Sequence, residues 1–212
     1  MTIFWLGQSA FKIQDKEVTI AIDPHDNIGI KMPKFQAEVL LITHDHDDHN
    51  NKEAIKGAPF LIDGPGEYEV KNVFVYGIQA FHDNKQGAEQ GKITMYLIEV
   101  EGVKIAHLSD FGQDSLTNDQ LELLEGVDIL LIPVGGHYTI DGEQAAKIVS
   151  QLQPRIVIPM HYKISGVNIK LDPVDKFLKE FGVTNPEKVD KLKISKKDLP
   201  QEETKVILLN VS

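Results

Sequence analysis

The chain has 212 residues, 42% hydrophobic and 25% charged, which is near the globular average and long enough for one core, so a single domain over 1–212 is expected. It contains no cysteine, which excludes disulfides, thiolate–metal sites and thiol nucleophiles and leaves histidine nitrogen and carboxylate oxygen to bind any metal. The formal net charge is −10, and Arg155 is the one arginine among 22 basic residues; a nucleic-acid partner would be repelled and would find no guanidinium clamps.

The opening half reads as short strands separated by turn signals. Met1 leads into I-F-W-L-G without a basic, then apolar, then cleavable segment, and no later apolar run approaches the roughly 18 residues of a membrane span. A cytoplasmic chain without a membrane partner is expected. Strands are predicted at Ile3 to Leu6, Phe11 to Ile13 and Val18 to Ile22, with a hairpin at Q-D-K-E between the second and third. Val39 to Ile42 is apolar without interruption, the pattern of a strand covered on both faces. Further strands are expected at Pro59 to Ile62, Val73 to Tyr76, Ile93 to Ile98 and Val103 to Ala106, with turns at Gly64 to Gly66 and at Gly102.

The closing half alternates helices with strands. Thr117, three residues before Gln120, forms a capping-box pattern for a helix to about Glu125, and Asp128 to Ile132 follows as a buried strand. Asp141 with Gln144 opens a second helix through Leu152, with Ala145, Ile148, Val149 and Leu152 on one face. Arg155 to Ile158 is the next strand. Asp172 and Pro173 read as N-cap and first residue of a third helix that Gly182 ends. Lys188 to Lys197 reads as a solvated connection, and Val206 to Leu209 closes as a strand. Two packed sheets with helices outside are implied.

Chemistry concentrates in H-D-H-D-D-H, His44 to His49, which follows Thr43 at the end of the buried Val39 to Ile42 run, where a rigid element hands over to a loop. His44 and His46 can converge on one cation while Asp48 and His49, on the other side of the loop, hold a second. Imidazole and carboxylate suit zinc, manganese or iron. The alternative is an exposed acidic-histidine tract without metal.

This H-x-H-x-D-H resembles the signature of the metallo-β-lactamase superfamily, and the family's later motifs are matched in order. Its next metal histidine resembles His82 in Q-A-F-H, its bridging aspartate Asp110 in H-L-S-D, and its last histidine His161 in I-P-M-H-Y. The likeness runs from W-L-G-Q-S and I-D-P at the start through Tyr162. It implies an α/β fold, the four-layer αββα sandwich, with the site at one edge. It also implies two divalent metal ions, zinc or manganese with iron as a further candidate. His44, His46 and His82 would take one ion and Asp48, His49 and His161 the other, with Asp110 bridging. Asp23 and His107 would orient ligand histidines. The implied reaction is attack by a metal-bridging hydroxide on an ester, lactone or phosphoester of a small molecule. Asp48, or His137 or Tyr138 in G-G-H-Y-T-I-D, is the candidate proton donor. Lys163 could attract an anionic substrate, and His25 reads as a surface loop residue.

The absence of cysteine departs from family members that use a thiolate at the second metal, which argues against an antibiotic substrate. Q-S-A-F, Q-A-F-H and H-L-S-D look most like the group that includes ascorbate-6-phosphate lactonase. A di-iron redox protein on the same fold would carry a glutamate in place of His46 and a flavin domain, and a metal-binding protein without turnover is the third reading. With few long insertions to build a pocket wall, a homo-oligomer is also considered.

Overall fold

Alternation along the first strands decides which face each residue buries. In the computed structural model, which describes residues 1–212, Ile3 and Trp5 enter the main core, while Phe4 and Leu6 face a second, smaller apolar cluster. The first half forms β1 (Thr2–Gly7), β2 (Ala10–Gln14), β3 (Thr19–Ile22), β4 (Phe35–Gln36), β5 (Val39–Leu41), β6 (Ile55–Lys56), β7 (Phe60–Ile62), β8 (Gly66–Val70), β9 (Val73–Phe81), β10 (Lys92–Val100) and β11 (Val103–His107). The second half adds α1 (Asn118–Leu123), β12 (Ile129–Pro133), α2 (Gly142–Leu152), β13 (Ile156–Met160), α3 (Asp175–Glu180), β14 (Glu187–Val189), β15 (Leu192–Lys193) and β16 (Lys205–Leu209). No helix is long and apolar enough to cross a membrane.

Two mixed sheets face each other. One runs β15-β1-β2-β3-β5-β7, the other β14-β16-β13-β12-β11-β10-β9-β8. The apolar run at β5 behaves as its sequence predicts: Val39 and Leu41 join the main core, and Leu40 and Ile42 join the second cluster on the opposite face. Main-core residues from both sheets form one layer between them. Fully buried Tyr96 ties the sheets across it, its hydroxyl donating to Ile42 O at 2.8 Å and lying 3.1 Å from Ile62 O. Helices α2 and α3 pack together beside β12. The outer face of the six-stranded sheet is covered by Met32, Ala37, Ala54 and Ile55 from the short β4–β6 ribbon and its flanks. The expected α/β sandwich is therefore present, with a ribbon and a 3-10 turn forming that outer layer.

Local signals mostly act as read. Asp15 Oδ1 accepts from the backbone N–H of Glu17 at 2.6 Å and Val18 at 2.7 Å, closing the β2–β3 hairpin. Capping boxes are formed at Thr117 with Gln120 and at Asp141 with Gln144. The third helix starts later than Asp172 and Pro173 suggest. Val174 is its N-cap, without a side-chain bond, and α3 starts at Asp175. Asp172 is held elsewhere: its N–H donates to Gly135 O, its carbonyl accepts from Lys163 N, and its carboxylate takes Lys176 Nζ at 2.6 Å. Gly182, at φ +76°, does end the helix, with its own N–H on Lys179 O and that of Val183 on Leu178 O. The lysine-rich segment 188–197 is also more than a solvated connection. It completes β14 and carries β15, and Lys196 Nζ reaches buried Asp128 at 2.7 Å.

Candidate metal centre

Sheet polarity brings the distant motifs together. In the six-stranded sheet β1 and β3 both run antiparallel to β2, and β5 is parallel to β3, so β1, β3 and β5 end at the same edge. In the other sheet β9 and β11 are both antiparallel to β10, and β12 and β13 continue parallel to β11. Gln8, Asp23 and the His44–His49 loop follow the first set, and His82, Asp110 and His161 follow the second. Four residues at these strand ends adopt left-handed backbone: Gln8 (φ 52°), Asp23 (φ 45°), Ser109 (φ 55°) and His161 (φ 51°). Each such conformation is costly for a non-glycine residue, and its clustering at one edge marks a functional site.

The side chains form two adjoining donor groups, His44 with His46 and His82, and Asp48 with His49, Asp110 and His161. Asp110 Oδ2 joins them, lying 3.1 Å from His49 Nε2, 3.2 Å from His161 Nε2 and 3.4 Å from His82 Nε2. His44 Nε2 and His46 Nδ1 are 3.0 Å apart. Behind these atoms lies a supporting layer. Asp23 accepts from Thr43 N at 2.8 Å, Thr43 Oγ1 at 2.7 Å and His49 Nδ1 at 2.9 Å. Thr43 Oγ1, having donated to Asp23, accepts from His44 Nδ1 at 2.9 Å. Both rings are thereby held through Nδ1, with Nε2 turned inward to the centre. Ser9 Oγ donates to Asp110 Oδ1 at 3.1 Å, and Gln8 Nε2 donates to Asp48 Oδ2 at 3.1 Å.

The electrostatics favour a bound cation. Burial pushes His44 down to about 2, helped by neighbouring His49, which leaves it the neutral imidazole that ligates metal. Burial would also depress His49, but Asp110 and Asp23 outweigh it and raise that ring well above its ordinary range. Asp110 is pushed up by burial and held well below the carboxylate range by His161 and His49. Asp48 is likewise pushed up by burial, yet His49 holds it at about 2. Fully buried His49 Nε2 lies 3.1 Å from Asp110 Oδ2 and 3.5 Å from Asp48 Oδ2, and neither contact is directed as a hydrogen bond. Imidazole nitrogens and carboxylate oxygens converging in two adjoining groups fit divalent metal with nitrogen and oxygen ligands.

A cavity of about 370 Å³ opens over this cluster, with His46, His82, Asp110 and His161 at its floor and Tyr138 among its lining. The two mouth candidates part company. Tyr138 faces the cavity, whereas His137 does not line it and turns its Nε2 toward Asp172 Oδ1, 3.8 Å away. Lys163 is exposed and also absent from the lining. Asp23 orients His49 as anticipated from its position. His107 touches no ligand histidine: its Nδ1 accepts from Ser109 N at 3.2 Å and its Nε2 donates to Ser9 O at 2.9 Å, so it acts on Asp110 through those neighbours. His25 is fully buried, with Nε2 2.9 Å from Leu6 O, where the sequence suggested a surface residue. Gln8 and Ser9, directly after β1, and Thr43, two residues past β5, belong to the site although no motif spacing points to them.

Glycine permits two of the approaches. A Cβ on Gly112 would collide with the His82 carbonyl, and one on Gly135 with the His161 carbonyl.

The chain matches the model of the beta-lactamase superfamily domain over residues 2–161, a span that includes both donor groups. A UPF0173 metal-dependent hydrolase of Staphylothermus marinus is 33% identical over 227 aligned positions, covering 90% of this chain and 95% of the relative. Another, from Thermococcus onnurineus, is 33% identical over 189 positions, covering 74% and 83%. A proposed Zn-dependent hydrolase of the metallo-beta-lactamase superfamily from Thermotoga maritima has been solved. It superposes with a TM-score of 0.81 at 34% identity, over 98% of this chain and 97% of that one. Full-length likeness in sequence and fold thus joins the histidine–aspartate cluster, and the chain belongs to the metallo-β-lactamase superfamily as a metal-dependent hydrolase of the UPF0173 group.

Proposed function

We propose that the chain hydrolyses an ester, lactone or phosphoester bond of a small molecule, using two divalent cations, zinc or manganese, one in each donor group. The observation that carries this reading is Asp110 Oδ2, a single oxygen within 3.4 Å of histidine nitrogens from both groups. Bound there, the cations would polarise the scissile carbonyl or phosphoryl group and lower the pKa of water in the cavity. His44, His46 and His82 would hold one, and Asp48, His49 and His161 the other.

The chain's own groups then have distinct tasks. Asp23 and Thr43 keep two ligand rings in one tautomer and orientation. Ser9 occupies Asp110 Oδ1 and leaves Oδ2 to the centre. Gln8 restrains Asp48 through Oδ2, while Oδ1 is free to take a proton from the attacking water and return it to the leaving group. Tyr138, at the mouth, can donate a hydrogen bond to a substrate oxygen.

Initial rates on a phosphodiester, a phosphorylated lactone, a simple ester and a β-lactam, with zinc or manganese supplied, test the reading beside Asp48→Ala and Asp110→Ala. Turnover of one bond type, reduced about 100-fold or more in the variants, is expected. Undiminished turnover in Asp110→Ala would remove the basis of the proposal.

A further inference from the structure

Strands β9 and β10 are joined by residues 82–91, a connection longer than the roughly two to five residues that close most hairpins. No side chain from Asn84 to Gln90 is buried, so no apolar anchor shapes this loop. One buried carboxylate does so instead. Asp83 Oδ1 accepts from the backbone N–H groups of Lys85 and Gly87, both at 2.8 Å, and Oδ2 from those of Glu89 at 2.9 Å and Gln90 at 2.7 Å. The loop closes on itself through Gly91 N to Gly87 O at 3.1 Å, and on the metal centre through His82 N to Gly91 O at 3.0 Å. At its other end Asn84 Nδ2 reaches Asp114 Oδ1 at 3.5 Å.

Ordering a long polar loop costs conformational entropy, and four donors gathered on a carboxylate offset that cost without burying apolar surface. The ordering has its consequence at the end of the loop. Glu89 turns to Lys85 at 2.5 Å, while Gln90 lines the cavity with His46 and His82, and its side-chain amide bonds to no group of the chain. An amide at that wall can donate through Nε2 to an oxygen held at the metals, whether that oxygen is neutral or anionic. Its backbone N–H, bound to Asp83, fixes where the side chain starts.

We propose that Gln90 hydrogen-bonds a substrate oxygen beside the metal centre, and that Asp83 is the positioning residue that holds Gln90 there through the loop backbone. This rests on the hydrolase reading above and adds to it the contact that the β9–β10 loop makes with substrate.

Inorganic phosphate tests this by binding, without turnover, because its tetrahedral oxygens resemble both a phosphoester product and the intermediate of ester hydrolysis. Titrated calorimetrically into zinc-loaded protein, its Kd should rise about tenfold in Gln90→Ala. Gln90→Glu has the same shape but no donor, and it should raise Kd further by setting a carboxylate against the anion. Asp83→Asn keeps one oxygen and turns an amide toward the remaining N–H donors, so its loss should match that of Gln90→Ala. In Asp83→Asn/Gln90→Ala the two losses should not add, since one residue acts through the other. Zinc affinity of Gln90→Ala, measured against a chromogenic chelator, should equal that of the wild type. Phosphate that binds Gln90→Ala as tightly as the wild type, or fails to bind the zinc-loaded wild type, would overturn the proposal and leave the hydrolase reading standing. Protein that takes up no zinc would overturn both. Additive losses in the double variant would remove Asp83 as the positioning residue and leave it a role in the fold alone.

Discussion

Asp23 saturates its two oxygens with three donors and never reaches the cavity, yet it decides where His49 points. Asp23→Asn keeps the shape but replaces one acceptor with a donor facing the donors of Thr43 and His49. Metal affinity should fall about 10- to 100-fold, measured by competition with a chromogenic chelator. An unchanged affinity would show that His49 needs no such guide. His107 gives a different test. Burial lowers its pKa, so the folded protein resists protonating a ring that the unfolded chain protonates near pH 6.5. The unfolded state then binds more protons below that pH, and stability must fall as pH drops from about 6.5 toward the folded value. In His107→Gln, metal-free, the loss of denaturant midpoint between pH 6.5 and 5 should be smaller than in the wild type. Equal slopes would assign the acid sensitivity to the other buried histidines. The sequence disclosed the donors through their spacing and order. It does not disclose Gln8, Ser9 or the burial of His25, because a polar residue in the short loop after a strand looks alike whether it faces water or another strand end.

Two of the site loops lean on a neighbouring loop whose backbone comes close enough to require glycine. Gly112 packs on the carbonyl of His82 and Gly135 on that of His161. Gly112→Ala or Gly135→Ala should destabilise by about 1–3 kcal/mol through overpacking and also weaken metal binding, since the displaced atom belongs to a ligand. Urea midpoints and zinc stoichiometry check this; a loss of stability with full zinc affinity would separate the packing from the ligand geometry. The same contrast between local and distant causes explains which elements could be read beforehand. The strands from β9 to β13 announce themselves by apolar runs, and α1 and α2 by caps that form as written. The two-residue β4 and β6 are too short to show any period, and β8, reading G-E-Y-E-V, exposes much of its length. β14 and β15 hide among lysines, and their pairing comes from partners in β16 and β1. Asp172 has the sequence pattern of a cap without acting as one, because the contacts that divert it, with Gly135, Lys163 and Lys176, come from elsewhere in the fold or reach it through its side chain.

The cluster draws on both sheets: the six-stranded sheet delivers His44, His46, Asp48 and His49, and the eight-stranded sheet delivers His82, Asp110 and His161. Metal should consequently stabilise the assembled sandwich by mass action. At about 100 times Kd the gain is about 2.7 kcal/mol per site, so chelation should lower Tm by roughly 5–10 °C for each site emptied and zinc or manganese should restore it. A Tm indifferent to chelator would mean that the donor groups hold no ion in the folded protein. Neither donor group is complete within one sheet, and this gives the centre a second meaning. A chain that has folded one half, or has closed its halves out of register, can offer only a broken set of ligands, so tight metal capture is reserved for correctly mated sheets. The ion would then serve as an inspector of assembly, admitting to chemistry only those molecules whose two halves have met.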